Sequence, residues 1–360
     1  MDPYGKLQEL LDKHIIGAPK SPLFDEILRT MFSEDEARVA LGMNFRPRTV
    51  SVIARESGVP EQDAAGLLDA MASRGVAFCR EKDGQARYAL LPTIPGLFEF
   101  PFMGGGNTPT HDKLARLWNQ YHDEALNQEL TRSATPYARI IPVEQAVESR
   151  NEVMPFEALS AMMQKSEVFA VAHCACRLTM KKCQKPQEVC LVFDQGAKFL
   201  AERDLAREIT REEALAVLTA SEEAGLVHTT NNSGDRLTFV CNCCPCCCTI
   251  LRGWTLHENP NAFAKSRWLA RADESLCSEC GACAEERCPM GAVSLENGAA
   301  RVDEPRCIGC GLCTTTCETG AMTLVPRPGA PAPHDNIVEL GLTIAKEKGK
   351  LDEFLEMMKP

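Results

Sequence analysis

Two cysteine runs decide the fold of the C-terminal part of the chain: CSECGACAEERCP at 277–289 and CIGCGLCTTTC at 307–317. In each run, two residues separate the first three cysteines, and a fourth cysteine follows after four residues in the first run and three in the second. The flanking sequence repeats as well, because GAVSL at 291–295 corresponds to GAMTL at 320–324. The segment is therefore an internal duplication, and Asn297-Gly298 between its halves predicts a β-hairpin.

These spacings resemble bacterial-type ferredoxins that carry two [4Fe-4S] clusters, over residues 270–326. This module resembles one that stands within a larger multi-cluster iron–sulfur protein of the kind found in anaerobes. The resemblance implies a βαβ-type repeat in which each half receives its fourth cysteine from the other half. It thereby implies two ligand sets: Cys277, Cys280, Cys283 and Cys317 for the first cluster, and Cys307, Cys310, Cys313 and Cys288 for the second.

Two departures from that pattern are visible. Four residues precede Cys288 where the family has three, and Glu318 stands where proline is usual. We expect the extra residue to bulge outward, and the Glu318 charge to lower the nearby reduction potential. Zinc is the alternative occupant, since thiolates also form closed tetrahedral zinc sites. The duplicated spacing favours iron–sulfur clusters.

Composition narrows the class of protein. The chain has 360 residues, 19 of them cysteine, and its formal net charge of -11 disfavours nucleic-acid binding, which needs cations to displace phosphate counterions. No apolar stretch is long enough to span a membrane, and the start of the chain lacks a signal-peptide pattern. We expect a soluble, cytoplasmic protein. In a reducing compartment, dense cysteine clusters indicate metal binding and not disulfides.

Ten further cysteines lie upstream, in a middle segment, and their spacing differs from the ferredoxin pattern. They are Cys174, Cys176, Cys183 and Cys190, followed by Cys241, Cys243, Cys244, Cys246, Cys247 and Cys248. The motifs HCACR at 173–177 and CNCCPCCC at 241–248 are similar to segments of a poorly characterised group of multi-cluster ferredoxin-like proteins of anaerobes. That resemblance indicates no particular reaction.

Neighbouring cysteines in an extended chain point to opposite sides, so the CNCCPCCC run cannot face a single cluster. Ten thiols suffice for one or two additional iron–sulfur clusters. The favoured division gives the first four cysteines to one cluster and the second run to another, with interleaving left open. Structural zinc and a set of redox-switching free thiols are the alternatives.

Other residues near these motifs have less specific roles. The cations Arg177, Lys181, Lys182 and Lys185 surround the first group, where they can stabilise thiolates or form a docking face for an acidic partner. His173 is expected to be a hydrogen-bonding neighbour of the cysteines, and Cys79 a small buried apolar residue.

The fold class is α+β and multidomain. Residues 1–100 predict a winged-helix-like helical domain, with helices from Ser33, from Val50 and from Pro60 or Glu61, followed by a hairpin at Asp83-Gly84. Residues 101–110 predict a linker, 111–255 a cysteine-rich middle domain with a long helix over 111–133 and a second helix-and-wing pattern, and 270–326 the ferredoxin domain. A Pro-rich arm and a C-terminal helix at 336–358 occupy 327–360.

These patterns favour a multi-cluster electron-transfer protein or subunit, which relays single electrons to a redox partner, a flavoprotein or other oxidoreductase, in an anaerobic system. No catalytic triad, paired-carboxylate signature or dinucleotide fingerprint is visible, so catalytic residues stay unknown. The first alternative is a reductase whose atypical middle-domain cluster acts on a substrate or activates a partner. The second is an iron–sulfur redox-sensing winged-helix regulator, which the acidic second helix disfavours.

Overall fold

The computed structural model describes residues 2–147 and 153–357. Its helices are α1 (Pro3–Asp12), α2 (Pro22–Met31), α3 (Glu34–Ala40), α4 (Val50–Ser57), α5 (Glu61–Ser73), α6 (Phe100–Met103), α7 (Pro109–Tyr121), α8 (Asn127–Leu130), α9 (Leu159–Met163), α10 (Ala175–Met180), α11 (Asp194–Ala201), α12 (Arg211–Glu223), α13 (Thr249–Thr255), α14 (Ile337–Glu347) and α15 (Leu351–Met357). Its strands are β1 (Arg48–Thr49), β2 (Phe78–Lys82), β3 (Gln85–Ala89), β4 (Ala138–Ile141), β5 (Phe169–His173), β6 (Glu188–Phe193), β7 (Arg207–Ile209), β8 (Val227–Asn231), β9 (Phe239–Cys243), β10 (Trp268–Ala272), β11 (Val293–Glu296), β12 (Ala299–Val302) and β13 (Met322–Pro326).

The N-terminal segment combines helices α1 to α5 with an antiparallel sheet in the order β1–β3–β2. Ser33 and Glu36 form a capping box at the start of α3, where the sequence predicts that a helix begins. Asp83 and Gly84, both with positive φ, make the turn between β2 and β3. The elements follow the predicted order, while membership of the winged-helix class stays a prediction.

The first part of the predicted linker is packed, whereas residues 107–110 are exposed. Helix α6 extends into it, with Phe102 and Met103 buried, and the His173 ring bonds to the Met103 carbonyl at 3.3 Å. The buried side chains of Phe102 and Met103, which precede Gly104, hold this part of the segment against the protein. Exposing them to water would cost hydrophobic free energy. The long helix predicted over 111–133 is also interrupted: α7 ends at Tyr121, a π-helical turn covers His122–Leu126, and α8 ends at Leu130.

In the described part of the chain, a six-stranded antiparallel sheet in the order β4–β8–β9–β6–β5–β7 forms the middle of the molecule. Strands β8 and β9 correspond to the predicted second wing, and that prediction is wrong, because both are interior strands of this sheet. Every residue of β8 is buried, since strands pair with it on both sides. Strand β9 ends at Cys243, so the sheet delivers the CNCCPCCC run into the interior.

The C-terminal duplication forms two antiparallel strand pairs, β10 with β13 and β11 with β12. Asn297 and Gly298, with φ of 51° and 84°, make the predicted turn between β11 and β12. Beyond it, the predicted single C-terminal helix is two helices, because the chain turns at Gly349, whose φ is 69°.

Helix α14 is anchored to the N-terminal segment by a buried lysine. The Lys348 ammonium donates to the Ile15 carbonyl at 2.8 Å and to the Glu129 carboxylate at 3.3 Å. Lys350 also lies 3.3 Å from that carboxylate. Burial lowers the pKa of Lys348 to about 8. Residues from the two ends of the chain therefore meet at one charged cluster.

We expect Glu129→Ala to lower the free energy of unfolding by about 3 kcal/mol, because it leaves buried ammonium groups without their carboxylate. Urea unfolding followed by circular dichroism measures the change. The control is Glu34→Ala, which removes an exposed i,i+4 partner of Arg38 and should have a much smaller effect. Equal effects of the two substitutions would contradict the assigned importance of this cluster.

Candidate iron–sulfur and metal sites

The C-terminal duplication encloses two cavities, each lined by four cysteines. One is lined by Cys277, Cys280, Cys283 and Cys317, and the other by Cys288, Cys307, Cys310 and Cys313. In both, three cysteines come from one half of the duplication and the fourth from the other half. The crossed sets expected from the sequence are therefore the sets that the structure brings together, and their assignment as cluster ligands is a proposal.

Backbone geometry shapes these loops. Gly309 has φ of 71°, and a Cβ there would lie 2.1 Å from the Trp268 carbonyl oxygen, so only glycine allows this close approach. The backbone N–H groups of Ala292 and Met322 donate to the sulfurs of Cys288 and Cys317, at 3.1 and 3.4 Å. Such bonds favour the thiolate form that a cluster requires.

The extra residue of the first run lies in a π-helical turn over Cys283–Arg287. The Cys288 N–H bonds to the Cys283 carbonyl at 3.1 Å, which closes this wider turn. In the second run, the Cys317 N–H bonds to Thr314 instead, three residues back. Because a π-helical turn holds one more residue than an α-helical turn, the insertion leaves Cys288 on the wall of its cavity.

The ten middle cysteines divide into two groups that mix the two sequence runs. One buried cavity is surrounded by a ring of six thiols, which we call the six-cysteine ring: Cys174, Cys176, Cys190, Cys241, Cys243 and Cys248. Cys244, a member of the second group, also lies on the wall of this cavity. Neighbouring thiols around the ring interact with one another, and Cys243 and Cys248 are 3.2 Å apart. Hydrogen bonds from Cys241 and Cys248 lower the pKa of Cys243 to about 6 despite its burial.

The other four thiols form a compact cluster outside the ring, which we call the four-cysteine group: Cys183, Cys244, Cys246 and Cys247. Their sulfur atoms all lie within 4.8 Å of one another. Hydrogen bonds from Cys247 and from the Arg177 guanidinium lower the pKa of Cys244 to about 5. The structure therefore does not follow the favoured division, in which each sequence run forms its own site. It follows the alternative in which the two runs interleave.

Strand geometry explains this division. Cys241 and Cys243 are two residues apart on β9, so both face the ring, while Asn242 between them points to the opposite side. The Asn242 amide nitrogen donates to the Val189 carbonyl, and its amide oxygen accepts from the Nδ1 of His228, at 2.6 Å in both cases. After Cys243 the strand ends in a turn, and Cys248 returns to the ring at the N-terminus of α13.

Arg177 is fully buried between the two groups. Its guanidinium donates to the carbonyls of Pro186 and Asn242 at 2.9 and 2.8 Å, and its Nη1 lies 3.9 Å from the Cys244 sulfur. Its Nη2 has no hydrogen-bond partner. The guanidinium also lies near Cys174 and Cys190 of the ring. A buried cation between two sets of thiolates offsets their negative charge.

The other basic residues near these motifs lie farther out. The Lys185 ammonium is held by the Ala224 carbonyl, while Lys181 is exposed and pairs with Asp112 at 3.2 Å. Lys182 is exposed. The suggested docking face is thus reduced to Lys181 and Lys182, because Arg177 is inside the protein. Cys79 is buried in the β2–β3 sheet, away from the other cysteines, as expected.

Sequence reasoning did not identify several residues of the ring cavity. The Thr229 hydroxyl is 3.2 Å from the Cys243 sulfur, and the Thr249 hydroxyl is 3.9 Å from that of Cys176. Glu99 and Tyr137 line the same cavity, and burial raises the pKa of Glu99 to about 7. These residues come from distant parts of the chain, and only the position of Thr249 directly after the CNCCPCCC run could have indicated one of them.

Comparison with known proteins identifies one part of the chain. Residues 269–318 match the family model described as a 4Fe-4S dicluster domain. A dicluster domain is therefore present. It suggests a role in electron transfer. No curated protein and no solved structure matches the chain. Within residues 2–147 and 153–357, no helix is both long enough and apolar enough to cross a membrane.

Two substitutions test whether each cluster takes its fourth cysteine from the other half of the duplication. Cys288→Ala should remove the cluster whose other cysteines are Cys307, Cys310 and Cys313, while Cys317→Ala should remove the other one. Electron paramagnetic resonance of the reduced full chain should show a different signal lost in each variant. Cys79→Ala is the control and should leave both signals unchanged. If both substitutions removed the same signal, the crossed assignment would be wrong.

Proposed function

We propose that this chain is a multi-cluster iron–sulfur electron-transfer protein or subunit of an anaerobic oxidoreductase system in the cytoplasm. The observation that carries the proposal is the continuity between the dicluster domain and the six-cysteine ring. A [4Fe-4S] cluster, when bound, accepts and donates single electrons at a potential set by its surroundings. The cysteines of the two dicluster cavities and of the ring are the residues that would hold such clusters.

One apolar core joins these sites. Cys243 and Cys248 of the ring lie in the same core as Cys283, Cys307, Cys310 and Cys313 of the dicluster domain. Backbone contacts connect the two parts directly, since the Val143 N–H donates to the Cys310 carbonyl at 2.8 Å. The core excludes water from the region between the dicluster cavities and the ring, which supports a route for electrons through the interior.

Arg287 fastens the dicluster domain to the middle domain. Its guanidinium donates to the carbonyls of Glu222 and Glu223, near the end of α12, at 2.8 and 2.9 Å, and to the Leu312 carbonyl at 3.3 Å. The last carbonyls of a helix have no partner within the helix, so they are well suited to accept from a cation. This contact supports a fixed position of the domain relative to the ring.

The redox partner that we propose is a flavoprotein or another oxidoreductase, and Lys181 and Lys182 are the exposed cations available to an acidic docking surface. The regulator alternative finds less support. The single cation that the sequence places near the end of α5, Arg74, is bound to Glu36 at 2.6 Å and to the Met31 carbonyl. Glu61 and Asp63 on the same helix would repel phosphates.

The reductase alternative is favoured by one observation, the number of thiols. The ring offers six, whereas a [4Fe-4S] cluster takes four protein ligands. We retain a substrate-converting middle domain as the second candidate function. Turnover of a small molecule by the full chain with only an artificial electron donor would favour it over the relay.

The iron content of the protein tests whether the six-cysteine ring binds a cluster. The anaerobically purified full chain should contain about twelve irons with as many acid-labile sulfides, four for each of the two dicluster cavities and four for the ring. Iron analysis and sulfide analysis measure this directly. A content of about eight irons would mean that only the dicluster domain carries clusters, and would contradict a middle-domain cluster.

Substitution of Arg287 tests the proposed electron transfer between the dicluster domain and the six-cysteine ring. Arg287→Ala should slow electron exchange between the dicluster domain and the ring several-fold at unchanged iron content, because it frees the domain from α12. Flash photoreduction of the full chain, followed by absorbance and by freeze-quenched paramagnetic resonance, gives the rate. The matched control is Arg301→Ala, which removes an arginine paired with the exposed Glu274 on the same domain. Equal rates in both variants and the parent would contradict a route across this interface.

A further inference from the structure

We propose that the four-cysteine group binds a single zinc ion and not an iron–sulfur cluster. This inference rests on the proposed function, since it assumes that the ring and the dicluster cavities hold the clusters. The middle cysteines then have two different roles. The six-cysteine ring holds the redox cofactor, and one mononuclear ion is bound by Cys183, Cys244, Cys246 and Cys247.

The distances between sulfur atoms carry the inference. Cys183 lies 3.8 Å from Cys244 and 4.0 Å from Cys247, and Cys246 lies 3.8 Å from Cys247. A tetrahedral zinc ion with zinc–sulfur bonds of about 2.3 Å places its ligand sulfurs about 3.8 Å apart. In a [4Fe-4S] cluster each thiolate binds a different iron, so the sulfurs stand roughly 6 Å apart. The observed spacing fits one ion.

The dicluster cavities give an internal comparison. A possible metal site needs at least three ligand atoms of His, Cys, Asp or Glu within 4.8 Å of one another. Among residues 2–147 and 153–357, the four-cysteine group meets this condition. The cysteines at the walls of the dicluster cavities are spread more widely. In the six-cysteine ring, neighbouring sulfurs also come close, as Cys243 and Cys248 do at 3.2 Å, but no three of these sulfurs lie within 4.8 Å of one another. In the described part of the chain, the compact arrangement of four ligand atoms around one point is therefore found at the four-cysteine group.

The surroundings of the group also suit a tetrathiolate ion. Zinc with four thiolates carries a net charge of about minus two, and the buried Arg177 guanidinium beside Cys244 compensates part of it. The backbone N–H of Lys182 donates to the Cys247 sulfur. Hydrogen bonds of this kind hold ligand sulfurs in position and reduce their charge.

The order of the ligands along the chain indicates what the ion would do. Cys183 lies between the ring residues Cys176 and Cys190, and Cys244 to Cys247 lie between the ring residues Cys243 and Cys248. An ion bound by both segments joins the loop after α10 to the turn after β9. This link fixes the two pieces of chain that supply most of the ring, so the zinc site is structural and redox-inactive.

The test uses the anaerobically purified full chain after reconstitution with iron and sulfide. It should retain about one zinc per chain, and zinc-edge X-ray absorption should show four sulfur neighbours at about 2.3 Å. Cys246→Ser should lower the zinc content at least about tenfold. The matched control is Cys176→Ser in the ring, which should lower iron and leave zinc unchanged.

The outcomes separate this inference from the proposed function. Absence of zinc from the parent protein, one sulfide-free iron in its place, or iron near sixteen per chain would overturn the zinc site. Zinc retained by Cys246→Ser would also overturn it. Iron near eight with zinc present would leave the zinc site standing and remove the middle-domain cluster instead. The absorption measurement on the parent decides the case if Cys246→Ser does not fold.

Discussion

The alternation of side chains along an extended strand is the constraint on which the rest of this structure depends. It sends Cys241 and Cys243 to one side of β9, and the turn that follows carries Cys244, Cys246 and Cys247 into the four-cysteine group. A run of six cysteines in eight residues is thereby split between two sites. Both sites also need cysteines from the Cys174–Cys190 segment. The run can meet those cysteines because β9 is an interior strand of the sheet and pairs with β6.

Burying so many thiolates has an electrostatic cost that the fold must offset. Charges inside a protein interact strongly and are costly to leave unpaired. Arg177 meets this need from a fully buried position, where two backbone carbonyls fix its guanidinium and its Nη2 stays without a partner. The cation sits close to both middle sites, so its charge lowers the electrostatic cost of thiolates in each of them.

The distant parts of the chain form one body around these sites. The Val143–Cys310 bond and the Arg287 bonds to α12 hold the dicluster domain against the central sheet. Lys348 holds the C-terminal helices against the N-terminal segment. A protein that moves electrons over fixed distances benefits from such rigidity, and the substrate-converting alternative would instead require access to the ring cavity.

The sequence by itself determined the dicluster domain, because its cysteines lie in local runs whose spacing sets the geometry of each loop. It also indicated caps and turns, such as Ser33 and Asn297-Gly298, that depend on neighbouring residues alone. Only the tertiary structure decided that β8 and β9 are interior strands and that the ten middle cysteines interleave. These features depend on strand pairing between distant segments and on where Cys183 meets Cys244, which local spacing does not encode.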